Sequence, residues 1–423
     1  MATIVALSSG RPPAAIGVVR ISGPVAFAAA TALVGPLPAP RHASVRIARN
    51  KGAPLDRVLV IAFLGSSSAT GEDLVELHCH GGRATINAVI GAVLEQGGVR
   101  HAEPGEFTRQ ALTNGRIDLA QAEGLADLLE AETETQRRMA LAASEGRVSQ
   151  AIRRWLAGIA ALSAQVEAVL DFADEEDVAR EAGLFAHARA DSDVLRREIE
   201  AVLTAPAVER VRDGLRIVIG GPPNTGKSTL LNLLSQSDAA IVSPIAGTTR
   251  DRIDIPVQRD GVAYRLIDTA GLTETNDPIE RIGVARAGQA INAADIVLWL
   301  DDLPPPRNDA LWIHARADLP GRLALPPGRV CSVRSDDPVS IDQLWALIVR
   351  VAQALLPHAD AIPFSSRQRE ACIAAAAQLH LEVDPVLAGE QLRAARRHLA
   401  AVIGLDATEL MLDALFSRFC IGK

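Results

Sequence analysis

Residues 221–230 read GPPNTGKSTL, between the apolar run LRIVIG (215–220) and a leucine-rich stretch. Gly221-x-x-x-x-Gly226-Lys227-Ser228 is the spacing of a phosphate-binding loop, with a strand signal before it and a helix signal after it, as that motif requires. No other feature restricts the fold as much. The glycines let backbone N–H groups converge on phosphate oxygens, and the following helix points its partial positive end at the same place. Lys227 then reaches the β- and γ-phosphates and the Ser228 hydroxyl coordinates Mg²⁺. Such a loop belongs to a parallel α/β sheet. Residues 214–355 alternate strand and helix signals accordingly, with LPPPR (303–307) and LPPGR (325–329) as loops.

The flanks have a different texture. TIVAL (3–7), IGVVRISG (16–23) and DRVLVIAFLG (56–65) read as strands, PVAFAAATAL (24–33) as a helix and HCHGG (78–82) as punctuation, so residues 1–115 form an α+β block. From about Ile117 to Leu170 there is no proline, and apolar residues recur at helical spacing. The acidic DFADEED (171–177) interrupts this run, either as a solvated turn or helix start or as a functional element. Helix returns to about Leu203, TAP (204–206) reads as a linker, and the chain is helical again after about Ser365. Each helical flank has an apolar face to cover. One helical domain built from both flanks, with the α/β block inserted, covers both.

With 423 residues, 48% hydrophobic and 22% charged, the chain can bury several cores. A net charge of -8 argues against a broad nucleic-acid-binding surface, which needs many lysines and arginines on phosphates, but leaves room for a local basic patch. Cys79, Cys331, Cys372 and Cys420 are scattered singly, which fits neither a disulfide framework nor a paired zinc site and points to a reducing cytosol. No secretory signal is read at the N-terminus, and no apolar run approaches the roughly 20 residues of a membrane helix. A cytoplasmic protein without a membrane span is expected.

Three stretches extend the phosphate loop. SPIAGTTRD (243–251) lies where a first switch loop belongs, and Thr249 can complete a Mg²⁺ shell. In DTAG (268–271), Asp268 reaches the metal through water and the Gly271 N–H binds the γ-phosphate. The expected nucleotide contacts are therefore Asn224, Thr225, Gly226, Lys227, Ser228 and Thr229; Ser243, Pro244, Ile245, Ala246, Gly247, Thr248 and Thr249; and Asp268, Thr269, Ala270 and Gly271. Where GTPases usually carry Asn-Lys-x-Asp to read guanine, this chain has Ala315-Arg316-Ala317-Asp318. Asp318 can still accept from the guanine N1–H and amino group, or it caps a loop. Arg316 can lay its stem over the base, and CSVR (331–334) offers Ser332 beside it. Leu272 follows DTAG where Ras-like enzymes place a water-orienting glutamine, and leucine cannot polarise water. The Asn224 side-chain oxygen is placed to help bind a monovalent cation.

GVVRISG, TGEDLVELHCHGG, PGEFTRQALTNGRIDLAQAE, VEAVLDFADEED, IAGTTRD, DTAGL with IERIG, and the terminal FCIGK together resemble the tRNA modification GTPase family called MnmE or TrmE, over nearly the whole chain. The resemblance implies a multidomain α/β protein: an N-terminal α+β domain like the folate-binding aminomethyltransferases (1–116), a discontinuous α-helical domain (117–210 and 358–423) and an inserted Ras-like P-loop GTPase domain (211–357). It implies modification of the wobble uridine of tRNA at C5 with a carboxymethylaminomethyl or aminomethyl group. A homodimer would act with an FAD-dependent partner, MnmG, in a heterotetramer, with 5-formyltetrahydrofolate or a related folate as one-carbon donor. It assigns the folate site to Arg20, Glu76 and Arg116, with Lys423 nearby, and puts the C-terminal tail against the N-terminal domain of the partner protomer. Arg116 stands where many members have lysine. K⁺ would lie at Asn224, Ser243, Ile245 and Thr248, and Mg²⁺ at Ser228 and Thr249. Glu280 in IERIG would orient the hydrolytic water; by its residues alone it is an exposed helix glutamate. Cys420 is either catalytic or a small buried apolar group. Apart from this family, the GTPase block alone fits a ribosome-assembly-type regulatory GTPase, and the altered Asn-Lys-x-Asp lends its one point of support to an ATP-using P-loop protein.

Overall fold

The computed structural model describes residues 2–171, 178–206, 208–236, 254–268, 288–358, 360–405 and 409–422. It divides into two compact units, one of Met1–Ala126, Ser144–Ala157 and Arg396–Lys423, the other of Asp127–Ala143 and Gly158–Ala395. The acidic DFADEED lies largely outside the described residues.

The first unit is built on strands β1 (Thr3–Leu7), β2 (Ile16–Ser22), β3 (Ser44–Asn50), β4 (Ala53–Phe63), β5 (Leu74–His80) and β6 (Val99–His101), in the order β3-β4-β5-β2-β1-β6. Alternation decides which face is covered. Val19 and Ile21 of β2, Val58 and Val60 of β4, and Val75 and Leu77 of β5 point into a core closed by the helices Ala26–Val34 and Arg83–Leu94. Each fully buried aliphatic side chain of this kind contributes about 1.5–3 kcal/mol. The opposite face carries Arg20, Glu76 and His78, and the antiparallel register sets Arg20 directly across from Glu76. The expected strands at 3–7, 16–23 and 56–65 appear as β1, β2 and β4. β4 begins earlier, at Ala53, because Lys51 (φ 49) and Gly52 (φ 85) close a two-residue hairpin with β3.

The C-terminal tail packs within this same unit. Phe419 is buried with Leu119 and Phe416. Gly105 N donates to Cys420 O at 3.5 Å, and Ile421 bridges Pro104. A Cβ on Gly422 would lie 2.0 Å from Leu7 O, so only glycine fits there. The tail thus rests on the N-terminal block of its own chain, held by buried Phe419 and the close approach of Gly422.

The second unit contains β7 (Leu215–Gly220), β8 (Asp254–Arg259), β9 (Val262–Asp268), β10 (Ile296–Trp299), β11 (Leu311–His314) and β12 (Cys331–Ser332), ordered β12-β11-β10-β7-β9-β8. All pairings are parallel except β8 with β9. The central strands β7 and β10 are mainly apolar on both faces, as a doubly covered sheet requires. Leu215, Ile217 and Ile219 join the core that includes Leu230 and Leu234 of the helix Lys227–Gln236 and Leu344 and Trp345 of the helix Pro338–Leu355. Val218, Ile267 and Val297 pack on Ile291 and Ala294. The order reverses around β7, since β9 lies on one side of it and β10 on the other. That switch point is where open α/β sheets bind ligands. The same unit holds the helices Val178–Leu203 and Ser366–Gln378, where buried Ser192 donates to Leu379 O at 2.7 Å. The segments that enter and leave the α/β sheet run side by side, with Val208 N donating to Phe364 O at 3.3 Å.

Candidate nucleotide-binding site

β7 ends at Gly220, and the chain turns through Gly221 (φ 143), Asn224 (φ 63) and Gly226 (φ 99) into the helix at Lys227. A Cβ at Gly221 would lie 2.2 Å from Leu300 O, so the chain just after β10 packs too closely for any side chain there. The loop is tied by Thr225 Oγ1, which donates to Pro222 O at 2.9 Å, and by Lys227 Nζ, which donates to the same carbonyl at 2.7 Å. Lys227 is 5% exposed. Burial pushes its amine below the ordinary value, and the charge of Asp268 pulls the other way. Ser228 Oγ donates to Asp268 Oδ2 at 2.8 Å. Two hard oxygens, one from a carboxylate at the end of β9, thus meet beside the lysine, a donor set suited to Mg²⁺.

A cleft of about 680 Å³ runs from this loop to the ends of β11 and β12, lined by Asn224, Gly226, Lys227, Ser228, Thr229, Ala315, Arg316, Asp318, Val333 and Ser335 among others. The phosphate-loop groups occupy one end and Asp318 the other, the layout a nucleoside triphosphate needs. Arg316 has φ 58 and donates through Nη1 to Asn224 O at 2.8 Å. Asp318 Oδ2 accepts from Ser335 Oγ at 2.9 Å. Ser332 does not line the cleft: it pairs with His314 in β12, and the chain reaches the cleft only beyond it, at Val333 and Ser335.

On the open face of the first unit, Arg20 donates to Glu76 Oε1 from Nε at 3.1 Å and Nη2 at 2.8 Å. The His78 ring nitrogen Nε2 lies 3.3 Å from Glu76 Oε2. Arg20 also lies 5.7 Å from the Phe107 ring centroid. Burial works to raise the Glu76 carboxyl, but the hydrogen bonds and charges of Arg20 and His78 outweigh it and hold it below its ordinary value. Arg116 is exposed and donates to Ser66 O at 3.3 Å, beside Gly71. Cys420 is exposed, so the alternative of a buried small apolar group does not hold.

Residues 3–116 match the family described as the GTP-binding protein TrmE N-terminus, and residues 119–420 match the MnmE helical domain. A tRNA modification GTPase MnmE from Erythrobacter litoralis (strain HTCC2594) is 50% identical over 430 residues, covering 100% of both chains. Those of Rhizorhabdus wittichii and Novosphingobium aromaticivorans are 49% and 46% identical, covering 100% of this chain and 96% and 99% of theirs.

The chain belongs to the tRNA modification GTPase MnmE family.

Of the residues expected to act in an MnmE chain, Asn224 to Thr229, Asp268 and Asp318 come together around Lys227 and the cleft. Ser243, Pro244, Ile245, Ala246, Gly247, Thr248, Thr249, Thr269, Ala270, Gly271, Glu280 and Lys423 lie outside the described residues. Two features were missed from the sequence, the tie from Arg316 to the phosphate loop and the contact of Ser335 with Asp318. The signal for the second was Asp337-Pro338, which starts the helix Pro338–Leu355 two residues after Ser335, a residue that lines the cleft.

Proposed function

We propose that this MnmE-family chain is a cytoplasmic GTP hydrolase that takes part in C5 modification of the tRNA wobble uridine. The observation that carries the hydrolase part is that Lys227 and Ser228, whose hydroxyl donates to Asp268, share one cleft with Asp318. Lys227 and the phosphate-loop N–H groups bind the β- and γ-phosphates, and Asp318 accepts from guanine. Ser228 and Thr249 hold Mg²⁺, which supplies charge neutralisation at the phosphates. K⁺ sits at Asn224, Ser243, Ile245 and Thr248, and Glu280 orients the water that attacks the γ-phosphorus.

The modification part rests on the family and on the N-terminal block. Arg20, Glu76 and Arg116, with Lys423 near them, bind the folate donor, 5-formyltetrahydrofolate or a related tetrahydrofolate. Arginines suit its anionic glutamate tail, and a carboxylate suits the donor edge of its pterin. Cys420, exposed on the C-terminal tail, serves the transfer. A homodimer works on tRNA with the FAD-dependent MnmG. Among the described residues no helix is long and apolar enough to cross a membrane.

GTP turnover measured in KCl and in NaCl tests the hydrolytic arrangement. Turnover should be faster in KCl, and Glu280→Ala should lower it by a factor on the order of 10²–10⁴ with GTP still bound. Equal rates in the two salts, or an undiminished Glu280→Ala variant, would remove this assignment.

A further inference from the structure

Asp318 is the one member of Asn-Lys-x-Asp that this chain keeps, and Ala315 leaves the Asn position without a hydrogen-bonding side chain. A carboxylate that must meet two guanine donors at once needs a fixed orientation, because its χ2 torsion is soft. The structure shows what fixes it. Ser335 Oγ donates to Asp318 Oδ2 at 2.9 Å, and both residues line the cleft that holds Lys227. Ser335 is itself held in place. Val333 N, just after β12, donates to His314 O at 2.8 Å, and Val333 O accepts from Ala317 N at 3.1 Å. Arg334 N donates to Ser340 Oγ at 3.1 Å. Asp337 caps the helix that follows, accepting from Val339 N at 3.0 Å. The turn bearing Ser335 is thereby pinned on one side to the base-reading loop and on the other to a helix start. That loop is tied in turn to the phosphate loop through Arg316 Nη1 and Asn224 O at 2.8 Å.

We propose that Ser335 is a positioning residue for guanine selection: it orients Asp318 toward the base edge, and with Arg316 it replaces the bracing lost with the asparagine at 315. The proposal rests on the GTPase reading of the cleft. It assigns Ser335 to discrimination between bases and not to phosphate binding, which belongs to Lys227 and Ser228 at the other end.

Dissociation constants of GDP, IDP and ADP, measured by calorimetry with Mg²⁺ on the full chain and on Ser335→Ala and Ser335→Thr, test this. Losing one hydrogen bond to a carboxylate should weaken GDP about tenfold in Ser335→Ala. ADP, which offers Asp318 no N1–H and no 2-amino group, should be unchanged. The preference for GDP over IDP should shrink, because it depends on the aligned carboxylate meeting the 2-amino group. Ser335→Thr keeps the hydroxyl and should restore both preferences. Equal weakening of GDP and ADP by Ser335→Ala would mark the residue as merely structural and overturn the proposal, as would an unchanged GDP-to-ADP ratio or a threonine variant that behaves like alanine. A wild-type chain that binds GDP no better than ADP would instead overturn the GTPase reading, and the role of Ser335 with it.

Discussion

Arg20 and Glu76 are 56 positions apart in the chain and meet because β2 and β5 pair with those two residues in register. The pair makes a measurable contribution with a defined pH dependence. The Glu76 carboxyl is held below its ordinary value of 4.5, against burial, by Arg20 and His78. A carboxyl lowered in the folded state stabilises the fold above its unfolded value, and that contribution is lost as pH falls through the folded value. Glu76→Gln should therefore lower the denaturant midpoint at neutral pH, and its difference from wild type should shrink as pH drops below 4.5. A difference that stays constant from about pH 7 to pH 3 would contradict this. At this scale the sequence was readable where one short segment sets the geometry: Lys227 and Ser228 follow from the spacing of their loop. It was not readable where function depends on a turn between elements. Ser332 looked like the base contact, and only the path of the chain after β12 puts Ser335 beside Asp318.

Arg369, in the helix Ser366–Gln378, donates to Ala205 O at 2.7 Å and to Leu203 O at 2.6 Å. These carbonyls lie at the end of the helix Val178–Leu203, where backbone acceptors lack intrahelical donors and a cation is favoured. Glu209 reinforces the same crossing by accepting from Ser366 N. Together they strap the segment that enters the α/β sheet to the one that leaves it. Arg369→Ala should cost about 1–3 kcal/mol, since two part-buried acceptors lose a charged donor. Denaturant unfolding followed by far-ultraviolet circular dichroism measures this; wild-type stability would show that the strap contributes nothing. Arg369→Lys, which keeps the charge but not the two-pronged geometry, should recover only part of the loss. The long helices were legible because their Ala and Leu spacing is strong and unbroken by proline. β3 was not: SVRIARN is an edge strand with Val45 and Ile47 exposed, and its pairing with β4 depends on the Lys51-Gly52 turn. β8 was equally hidden, since DIPVQR carries a proline and charged ends and pairs only as an antiparallel edge.

Across the whole molecule, the phosphate loop foretold its sheet, and the switch-point position of β7 follows from strand order. The location of the tail did not follow from FCIGK, because nothing local to five residues shows that Gly422 fits under Leu7 O. The tail and the nucleotide cleft belong to different compact units. Removing Phe419–Lys423 should therefore abolish tRNA modification while leaving GTP hydrolysis largely intact; equal loss of both would show that the two activities are not separable in this way. The central claim joins them: GTP hydrolysis by this chain serves modification of the wobble uridine. Mass spectrometry of wobble nucleosides tests it most directly, with tRNA from cells lacking the gene and from the same cells supplied with the wild-type chain or with Lys227→Ala. The C5-modified uridine should disappear with the gene, return with the wild type and fail to return with Lys227→Ala. Unchanged modification in the cells lacking the gene, or full restoration by Lys227→Ala, would contradict the account.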